Sequence, residues 1–364
     1  MTQPPLRQVV VIGAGLMGTS VALALGRAGV EVYLEDADPA HLRVAVSLGA
    51  GGPMPPDAEL QPDLVIVGVP PSALGPVIAA ALARFPQATV TDLGSVKAAA
   101  LADATRHAPA LLDRYVGSHP MAGSEQSGPL AARAELFDGR PWAVTPHPGS
   151  RPEAVEVVES LVAACGAFAV RMTPADHDEA VALVSHLPQV ASSVVAGMLT
   201  TAAEGHLVLA GQGLRDVTRI AAGDPDLWTQ ILLANAEPVA RLLHEAADNL
   251  HQVALTLEKL EPGSPSVEEL RASIERGGTG VRRLPGKHGA RPEEFASVPV
   301  ILPDRPGELA RLFADVGAAG VNIEDVRIDH SPGAPAGLVQ LAVHQDVVPA
   351  LLEALAQHGW DVHG

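Results

Sequence analysis

The sequence predicts three folding units in succession: an α/β unit with a buried parallel sheet, an all-helical unit, and a small mixed α/β unit. Near the N-terminus a glycine-rich turn separates an apolar strand from an Ala/Leu-rich helix, and a helical apolar period later runs from about residue 173 to about residue 277. The last part of the chain shows strand and helix patterns in the order βαββαβ, typical of a ferredoxin-like fold. We place the units at 1–172, 173–280 and 297–364, with a linker at 281–296.

The first unit begins with the pattern of a dinucleotide-binding βαβ unit. The apolar strand Val9–Ile12 runs directly into Gly13–Gly18 (G-A-G-L-M-G), and the strand after the next helix ends at Glu35-Asp36. Glycines at these positions let the backbone approach a pyrophosphate at a helix N-terminus. Asp36 is expected to bind the ribose hydroxyls, with Glu35 as the alternative, and no Arg follows at once to bind a 2′-phosphate. The pattern predicts a Rossmann-like fold that binds NAD rather than NADP.

Two later strands are expected to end at the same edge of the sheet, where open α/β sheets bind ligands. One runs into Val69-Pro70 and the other into Ser95-Val96-Lys97. Taken alone, Ser95 would be a helix N-cap and Lys97 a solvated residue of the first turn, but their place at a strand end favours an active-site role for Ser95. The predicted cofactor contacts are Gly13, Gly15, Leu16, Met17, Gly18, Asp36, Val69, Pro70 and Ser95.

The polar stretch at residues 118–128 is the segment in which we expect a catalytic residue. It is rich in hydroxyl, imidazole, carboxylate and glycine, and a strand near 115–117 would deliver it as a loop to the same sheet edge. Histidine exchanges protons near neutral pH. We therefore predict that His119 is an acid/base group that faces the bound cofactor.

The helical unit supplies polar residues at places where a plain core would not have them. His186 and Gln189 lie on either side of Leu187-Pro188, and the proline should bend the helix and aim these side chains inward. Arg215 and Arg219 are four residues apart and would share one helix face, which favours an anion clamp.

A heptad seam from Asp226 to Leu260 predicts one long helix whose beginning is kinked by Pro238. The seam could be core within one chain, but its length favours homodimerisation. A further helix should end at Gly277-Gly278. The basic linker at 281–292 is most simply a solvated tether that contacts acidic domains of its own chain.

Composition excludes several classes of protein. The formal net charge of −18 argues against nucleic-acid binding, which needs clustered basic residues. The single cysteine, Cys165, permits no intramolecular disulfide and no cysteine-based zinc site, and we expect it to be a small buried apolar residue. No metal is expected.

The apolar run 9–30 could suggest a membrane span, but its glycines fit strand, turn and helix better. With no secretory-signal pattern at the start, we expect a soluble cytoplasmic protein without a membrane partner.

Together these motifs resemble the prephenate/arogenate dehydrogenase family of tyrosine biosynthesis with a C-terminal ACT domain. The matching segments are 13–18, 95–97, 119–125, 185–188, 215–221, Trp228 and 304–309, in the order of the family. The resemblance implies NAD-linked oxidation of a ring 4-hydroxyl coupled to loss of the ring carboxylate as CO₂.

The resemblance also implies residue roles. His119 would accept the hydroxyl proton, and Ser95 would hydrogen-bond and orient this pair. Arg219 would bind a substrate carboxylate with support from Arg215. The remaining substrate contacts implied are His186 and Gln189 at the side-chain end, and Ser124, Glu125 and Trp228 at the loop and pocket wall.

Two matters stay open at this point. Several family members have His where this chain has Gln189, so prephenate is only slightly favoured over arogenate, and Glu125 could pair an arogenate ammonium or simply order the loop. The ACT domain implies feedback by tyrosine, with Gly307 at the loop and Asn322 in the second strand as candidate contacts. One alternative is another dehydrogenase that shares the cofactor domain, but it would not explain Arg215 and Arg219. The other is a non-catalytic protein that senses NAD and an amino acid, but it would give His119 no role.

Overall fold

A computed structural model describes residues 6–55, 60–123, 126–261, 263–284, 295–329 and 336–362. The strands are β1 Gln8–Ile12, β2 Glu31–Glu35, β3 Gly52–Pro53, β4 Leu64–Val67, β5 Thr89–Asp92, β6 Gly117–Pro120, β7 Pro141–Thr145, β8 Phe168–Arg171, β9 Phe295–Pro303, β10 Asp325–Asp329, β11 Ala336–His344 and β12 Asp361–Val362. The helices are α1 Leu16–Arg27, α2 Pro39–Ser47, α3 Leu74–Arg84, α4 Ala98–His107, α5 Pro152–Ala164, α6 Pro174–Val181, α7 Leu187–Met198, α8 Glu204–Leu207, α9 Gln212–Thr218, α10 Pro225–Ala234, α11 Ala236–Glu258, α12 Pro265–Val281, α13 Glu308–Ala318 and α14 Val348–Gln357. The chain divides into two compact units, 1–202 with 217–247, and 203–216 with 248–364.

The first compact unit is built on a five-stranded parallel sheet in the order β3-β2-β1-β4-β5. Successive side chains of β1 enter different cores: Val9 and Val11 pack in one cluster, and Val10 in another. Strand side chains alternate between faces, so a sheet covered on both sides needs an uninterrupted apolar run. The predicted Rossmann-like α/β fold is confirmed.

A second sheet in the same unit holds the polar stretch. Its order is β6-β7-β8, with β6 antiparallel and β8 parallel to β7. A single bridge between Val90 and Tyr115 ties the residues before β6 to β5. The expected loop is therefore partly a strand, because His119 lies within β6 and pairs with Ala143.

The long helix predicted from Asp226 to Leu260 is interrupted at Asn235, between α10 and α11. Pro238 does not kink a helix interior, because it lies in the first turn of α11, where its missing N–H has no intrahelical partner to lose. The break frees the Asn235 side chain for tertiary hydrogen bonds. The expected end of the following helix at Gly277-Gly278 is wrong as well, since α12 continues to Val281.

In the second compact unit, residues 295–329 and 336–362 form the βαββαβ unit. Its antiparallel sheet has the order β10-β11-β9-β12, and α13 and α14 pack with it around a shared apolar core. This is the predicted ferredoxin-like arrangement. Of the linker predicted at 281–296, residues 285–294 lie outside the described residues.

The helical run 174–201 is, by length and composition alone, apolar enough to cross a membrane. It also contains the buried polar residues His177, Asp178 and His186. Their hydrogen bonds go to the start of α4 and to Asn235, which follows α10. We therefore interpret the run as a core helix that carries site residues.

Candidate active site

The glycine turn after β1 has room for a ligand at one glycine and none at the other two. Gly13 has φ +106°, and a Cβ there would lie 2.4 Å from Gly68 O, while a Cβ on Gly18 would lie 1.9 Å from Gly13 O. Nothing lies within 4 Å of a Cβ position on Gly15, which is also the N-cap of α1. Close packing thus requires Gly13 and Gly18, whereas Gly15 leaves the helix N-terminus, with Leu16 and Met17, open to a phosphate group.

Two carboxylates lie at the end of β2. Asp36 accepts hydrogen bonds from the backbone N–H groups of Ala14 and Asp38, which aim its carboxylate along the glycine turn. Glu35 Oε2 lies 2.6 Å from Arg84 Nη1 and neutralises that guanidinium. A cavity of about 250 Å³ opens here, lined by Leu34, Glu35, Asp36, Leu42, Met54, Pro55 and Arg84. The carboxylate oxygens of Asp36 can accept hydrogen bonds from the free hydroxyls of an adenosine ribose.

The other predicted cofactor contacts follow the ends of β4 and β5. Val69 and the exposed Pro70 follow β4, and the next turn is tied to α10 because Ser72 Oγ donates to Gln230 Oε1 at 2.9 Å. Ser95 follows β5 but does not cap α4, because the N-cap is Lys97. These strand ends lie at the carboxyl edge of one parallel sheet, as the sequence indicates.

Lys97 is the clearest departure from the sequence-based expectation. Instead of a solvated residue, it is 1% exposed, its Nζ pairs with Asp92, and it donates to Ser118 O at 2.7 Å. Tyr115 Oη donates to the other Asp92 oxygen at 2.8 Å. Burial lowers the pKa of Lys97, and the Asp92 charge opposes that shift. The buried pair holds the end of β5 against β6 directly behind His119.

His119 is held by a chain of hydrogen bonds that the sequence did not reveal. Its Nδ1 lies 2.9 Å from His177 Nε2, and His177 Nδ1 lies 2.8 Å from Asp178 Oδ1. The Asp178 carboxylate also accepts from the backbone N–H groups of Lys97 and Ala98, both at 2.8 Å. Asp178 therefore caps α4 from another helix, at the end where a helix dipole favours negative charge.

The surroundings of His119 favour its neutral form. Burial lowers its pKa well below 6.5, and the nearby His177, Lys97 and His186 act in the same direction. Within the described part of the chain, Ser95 makes no hydrogen bond to His119, whose Nδ1 contacts His177 instead. A role for Ser95 toward the substrate hydroxyl stays a prediction.

A second histidine is fixed in the neighbouring helix. Asn235 Nδ2 donates to His186 Nδ1 at 3.1 Å and to Asp178 O at 2.8 Å. His186 Nδ1 therefore accepts, and the ring proton lies on Nε2. Burial lowers the pKa of His186 to about 4. The neutral ring is a hydrogen-bond donor, edge-on to Trp228 with ring centroids 6.0 Å apart.

Gln189 and Trp228 meet at the turn after Arg219. A Cβ on Gly223 would lie 2.5 Å from Trp228 Nε1 and 3.5 Å from Gln189 Nε2. The 3₁₀ turn Arg219–Ala222 also packs on α7. The structure thus brings His186, Gln189, Trp228 and the Arg219 turn together, as the predicted substrate contacts require.

The predicted shared helix face of the two arginines is not seen. Arg215 lies in α9, which ends at Thr218, and Arg219 begins the tighter 3₁₀ turn. Both side chains are exposed. The prediction failed because a four-residue spacing defines one face only while the α-helix continues.

The remaining predicted sites have mixed outcomes. Ser124 and Glu125 lie outside the described residues. Gly307 is the N-cap of α13 with φ +91° and open space around it. Asn322 does not lie in the second strand of its unit but before β10, where its Nδ2 donates to Glu324.

Cys165 is buried, and burial raises its pKa to about 12. Across the described residues, no cluster of three His, Cys, Asp or Glu could hold a metal.

Sequence reasoning missed His177, Asp178, Asn235, Asp92 and Lys97 as parts of this site. The available signal was the pair His177-Asp178 in the first turns after the Thr173 cap. Two adjacent polar residues at the start of a helix look solvated, and only the packing of α6 on α4 buries them.

Comparison with known proteins agrees with this geometry. Residues 21–171 match the model of the prephenate dehydrogenase nucleotide-binding domain, and residues 173–274 match that of the prephenate dehydrogenase dimerization domain. The chain is 39% identical over 364 residues to "Probable prephenate dehydrogenase NovF" of Streptomyces niveus, covering 98% of this chain and 99% of that protein.

Two solved structures are similar over most of the chain. One is prephenate dehydrogenase from A. aeolicus in complex with hydroxyphenyl propionate and NAD+, with TM-score 0.68, 27% identity, and coverage of 77% of this chain and 99% of that one. The other is Synechocystis arogenate dehydrogenase, with TM-score 0.63, 26% identity, and coverage of 75% and 98%. The chain belongs to the prephenate dehydrogenase family.

Proposed function

We propose that this protein is a prephenate dehydrogenase, which converts prephenate to 4-hydroxyphenylpyruvate by oxidative decarboxylation with NAD as the cofactor. The observation that carries the proposal is His119, a neutral histidine in β6 beside the carboxyl end of β5, with its Nδ1 hydrogen-bonded to His177. Its Nε2 makes no hydrogen bond to the described protein groups, so it is available to a substrate hydroxyl.

The chemistry balances with the residues at hand. NAD, when bound, accepts the hydride that leaves the ring carbon bearing the hydroxyl. His119 Nε2 takes the hydroxyl proton, the bond from the ring to its carboxylate breaks to release CO₂, and the ring becomes aromatic. His119 then returns the proton to the phenolate oxygen. A histidine that stays neutral at working pH suits this cycle, because it begins as a base and ends as a base.

The preference for NAD rests on charge at the end of β2. The backbone N–H of Ala14 donates to Asp36 and orients its carboxylate toward the glycine turn. Glu35 forms an ion pair with Arg84, which also lines that cavity. A 2′-phosphate would meet two carboxylates there. The two carboxylates would repel that phosphate, and they can accept hydrogen bonds from the free ribose hydroxyls of NAD. Both effects support NAD over NADP.

The choice of prephenate over arogenate is supported more weakly, because the two differ at the side-chain end. Gln189 is buried beside Trp228 and His186, and its neutral amide carries no charge to select either a keto group or an ammonium. The relatives include both prephenate and arogenate dehydrogenases. Arogenate, giving tyrosine directly, is therefore the second candidate.

The direct test measures NADH formation with prephenate and with arogenate, each with NAD and with NADP. We expect the highest kcat/KM with prephenate and NAD. His119→Asn should reduce kcat by at least about 100-fold, since that is the usual contribution of a positioned proton acceptor. A fully active His119→Asn variant would remove His119 from the mechanism, and a wild type with no turnover would favour the NAD- and amino-acid-sensing alternative.

The proposal extends to assembly, regulation and location. The C-terminal βαββαβ unit would be an ACT domain that binds tyrosine near Gly307 and Asn322, and the protein would be a soluble cytoplasmic homodimer. The match of residues 173–274 to a dimerization domain and the exposure of Leu250 and Leu257 on α11 support the dimer. A monomeric mass by light scattering at micromolar concentration would contradict it.

A further inference from the structure

We propose that His177, held by Asp178, is a positioning residue that fixes the tautomer of His119, so that His119 presents an unprotonated Nε2 to the substrate. The inference rests on the proposed function, because it assigns the acid/base group a supporting partner. It concerns three side chains in a row, one from β6 and two from α6.

The first step is the state of His177 Nδ1. This nitrogen lies 2.8 Å from Asp178 Oδ1, and a carboxylate can only accept. The carboxylate is itself fixed, because Lys97 N and Ala98 N donate to its two oxygens. His177 Nδ1 must therefore carry a proton that it donates to Asp178.

The second step passes this constraint to His119. With its proton on Nδ1, a neutral His177 has its lone pair on Nε2, and the atom 2.9 Å away is His119 Nδ1. That nitrogen must then be the donor. A neutral His119 with its proton on Nδ1 has its lone pair on Nε2, which is the form that accepts a hydroxyl proton.

The third step concerns charge. His177 is 1% exposed, and its two ring nitrogens face one carboxylate, Asp178, and one neutral ring, His119. The opposite arrangement, a doubly protonated His177 that donates to His119, would place the His119 proton on Nε2 and leave no base. When His119 accepts the substrate proton, its Nδ1–H bond to His177 becomes charge-assisted and stronger, which stabilises the transient imidazolium.

The test compares three variants of the full-length enzyme. His177→Gln keeps an acceptor, because Oε1 of Gln can lie where Nε2 of the ring lay. His177→Leu removes the acceptor at similar volume. Thr173→Ala is the matched control, because it removes the side-chain N-cap of the same helix, whose Oγ1 accepts from Asp176 N, and keeps the backbone carbonyl that accepts from His177 N–H.

We expect His177→Leu to lose at least about tenfold in kcat with the KM for prephenate within twofold, because the residue acts only through His119. His177→Gln should recover most of that loss, and Thr173→Ala should resemble the wild type. In ¹⁵N spectra of histidine-labelled wild type, His119 should carry its proton on Nδ1 at neutral pH, and this preference should be lost in His177→Leu.

Two results would overturn the inference. One is a wild-type His119 with its proton on Nε2, and the other is a His177→Leu variant with wild-type kcat and an unchanged His119 tautomer. The wild-type spectrum needs no variant to fold and no turnover. It therefore decides the tautomer even if prephenate and arogenate both prove inactive, a result that would contradict the proposed function alone.

Discussion

At the scale of single residues, the site depends on polar side chains that are buried and mutually paired. His119 and His186 each have one ring nitrogen occupied by a neighbour, so each shows the other nitrogen to its surroundings in a defined state. The two states are complementary: His119 offers an acceptor and His186 a donor. The sequence predicts both histidines as functional, but it cannot predict these states, because the partners come from other elements.

Lys97 should be a structural requirement of the site. Replacing Lys97 with Met leaves the Asp92 carboxylate buried without its cation, and we expect a loss of about 3–5 kcal/mol in the free energy of unfolding. Urea denaturation followed by circular dichroism measures this loss. Adding Asp92→Asn to the Met variant should recover part of it, since no uncompensated charge remains. Wild-type stability in the single variant would show that the pair is dispensable.

The low pKa of His186 makes a prediction about acid stability. Its pKa is about 4 in the folded protein and near 6.5 when unfolded, so the unfolded chain binds more protons between these values. This histidine therefore adds no pH dependence to the free energy of unfolding above about pH 6.5. As the pH falls from there toward 4, its protonation in the unfolded chain lowers the free energy of unfolding.

Urea unfolding at a series of pH values tests this sign. His186→Asn keeps an acceptor for Asn235 but cannot take up the proton, so its stability should fall less steeply below about pH 6.5 than that of the wild type. His244→Asn, at an exposed position in α11, is the matched control and should keep the wild-type slope. An unchanged slope in the His186 variant would contradict the assignment.

At the scale of elements, the bend predicted around Pro188 takes the form of a widened helical turn. The π-helical turn Ala182–His186 precedes α7, whose first turn contains Pro188. A proline lacks the N–H that an α-helix would use, and a widened turn accommodates this while it rotates His186 into the interior. The sequence predicts a bend here, but not its form.

The glycine turn allows a matched pair of substitutions in α1 and its N-cap. Gly15→Ala meets no protein atom, so the fold should persist, but the methyl group projects where a pyrophosphate would approach. We expect NAD affinity to fall at least about tenfold, measured by calorimetry, which corresponds to roughly 1.4 kcal/mol.

Gly26→Ala is the control for that substitution. Gly26 is exposed within α1, also with nothing near its Cβ position, so alanine should raise the free energy of unfolding by about 0.5–1 kcal/mol and leave NAD binding unchanged. Equal NAD affinity in the Gly15 and Gly26 variants would show that the turn does not hold the phosphates.

At the scale of the whole molecule, the burial of the heptad seam decreases along α11. Val239 is 4% exposed, whereas Leu250 and Leu257 are 72% and 51% exposed in the single chain. The beginning of α11 is thus core, and its later part presents apolar side chains to solvent. An exposed apolar helix face of this kind marks a surface for association, which fits the proposed dimer.

Removal of the C-terminal unit tests regulation at this scale. Residues 295–362 have a core of their own, so a chain that ends before residue 296 should keep the nucleotide-binding and helical regions intact. We expect it to retain prephenate turnover and to lose inhibition by tyrosine. Non-competitive inhibition by tyrosine that persists in the truncated enzyme would place the effector site elsewhere.

The sequence by itself determined the succession of the three units, the glycine turn, the strands that precede Asp36 and Ser95, and the polar stretch that contains His119. These are local properties: an apolar run, a turn that needs glycine, and a residue type with suitable chemistry are visible without neighbours. Only the tertiary structure decided that Lys97 is buried, that Asn235 interrupts a heptad helix, and that His177 and Asp178 stand behind His119. Burial and hydrogen-bond partners depend on which elements pack together, and here β5, β6, α6 and the caps of α4 and α10 contribute one or two residues each.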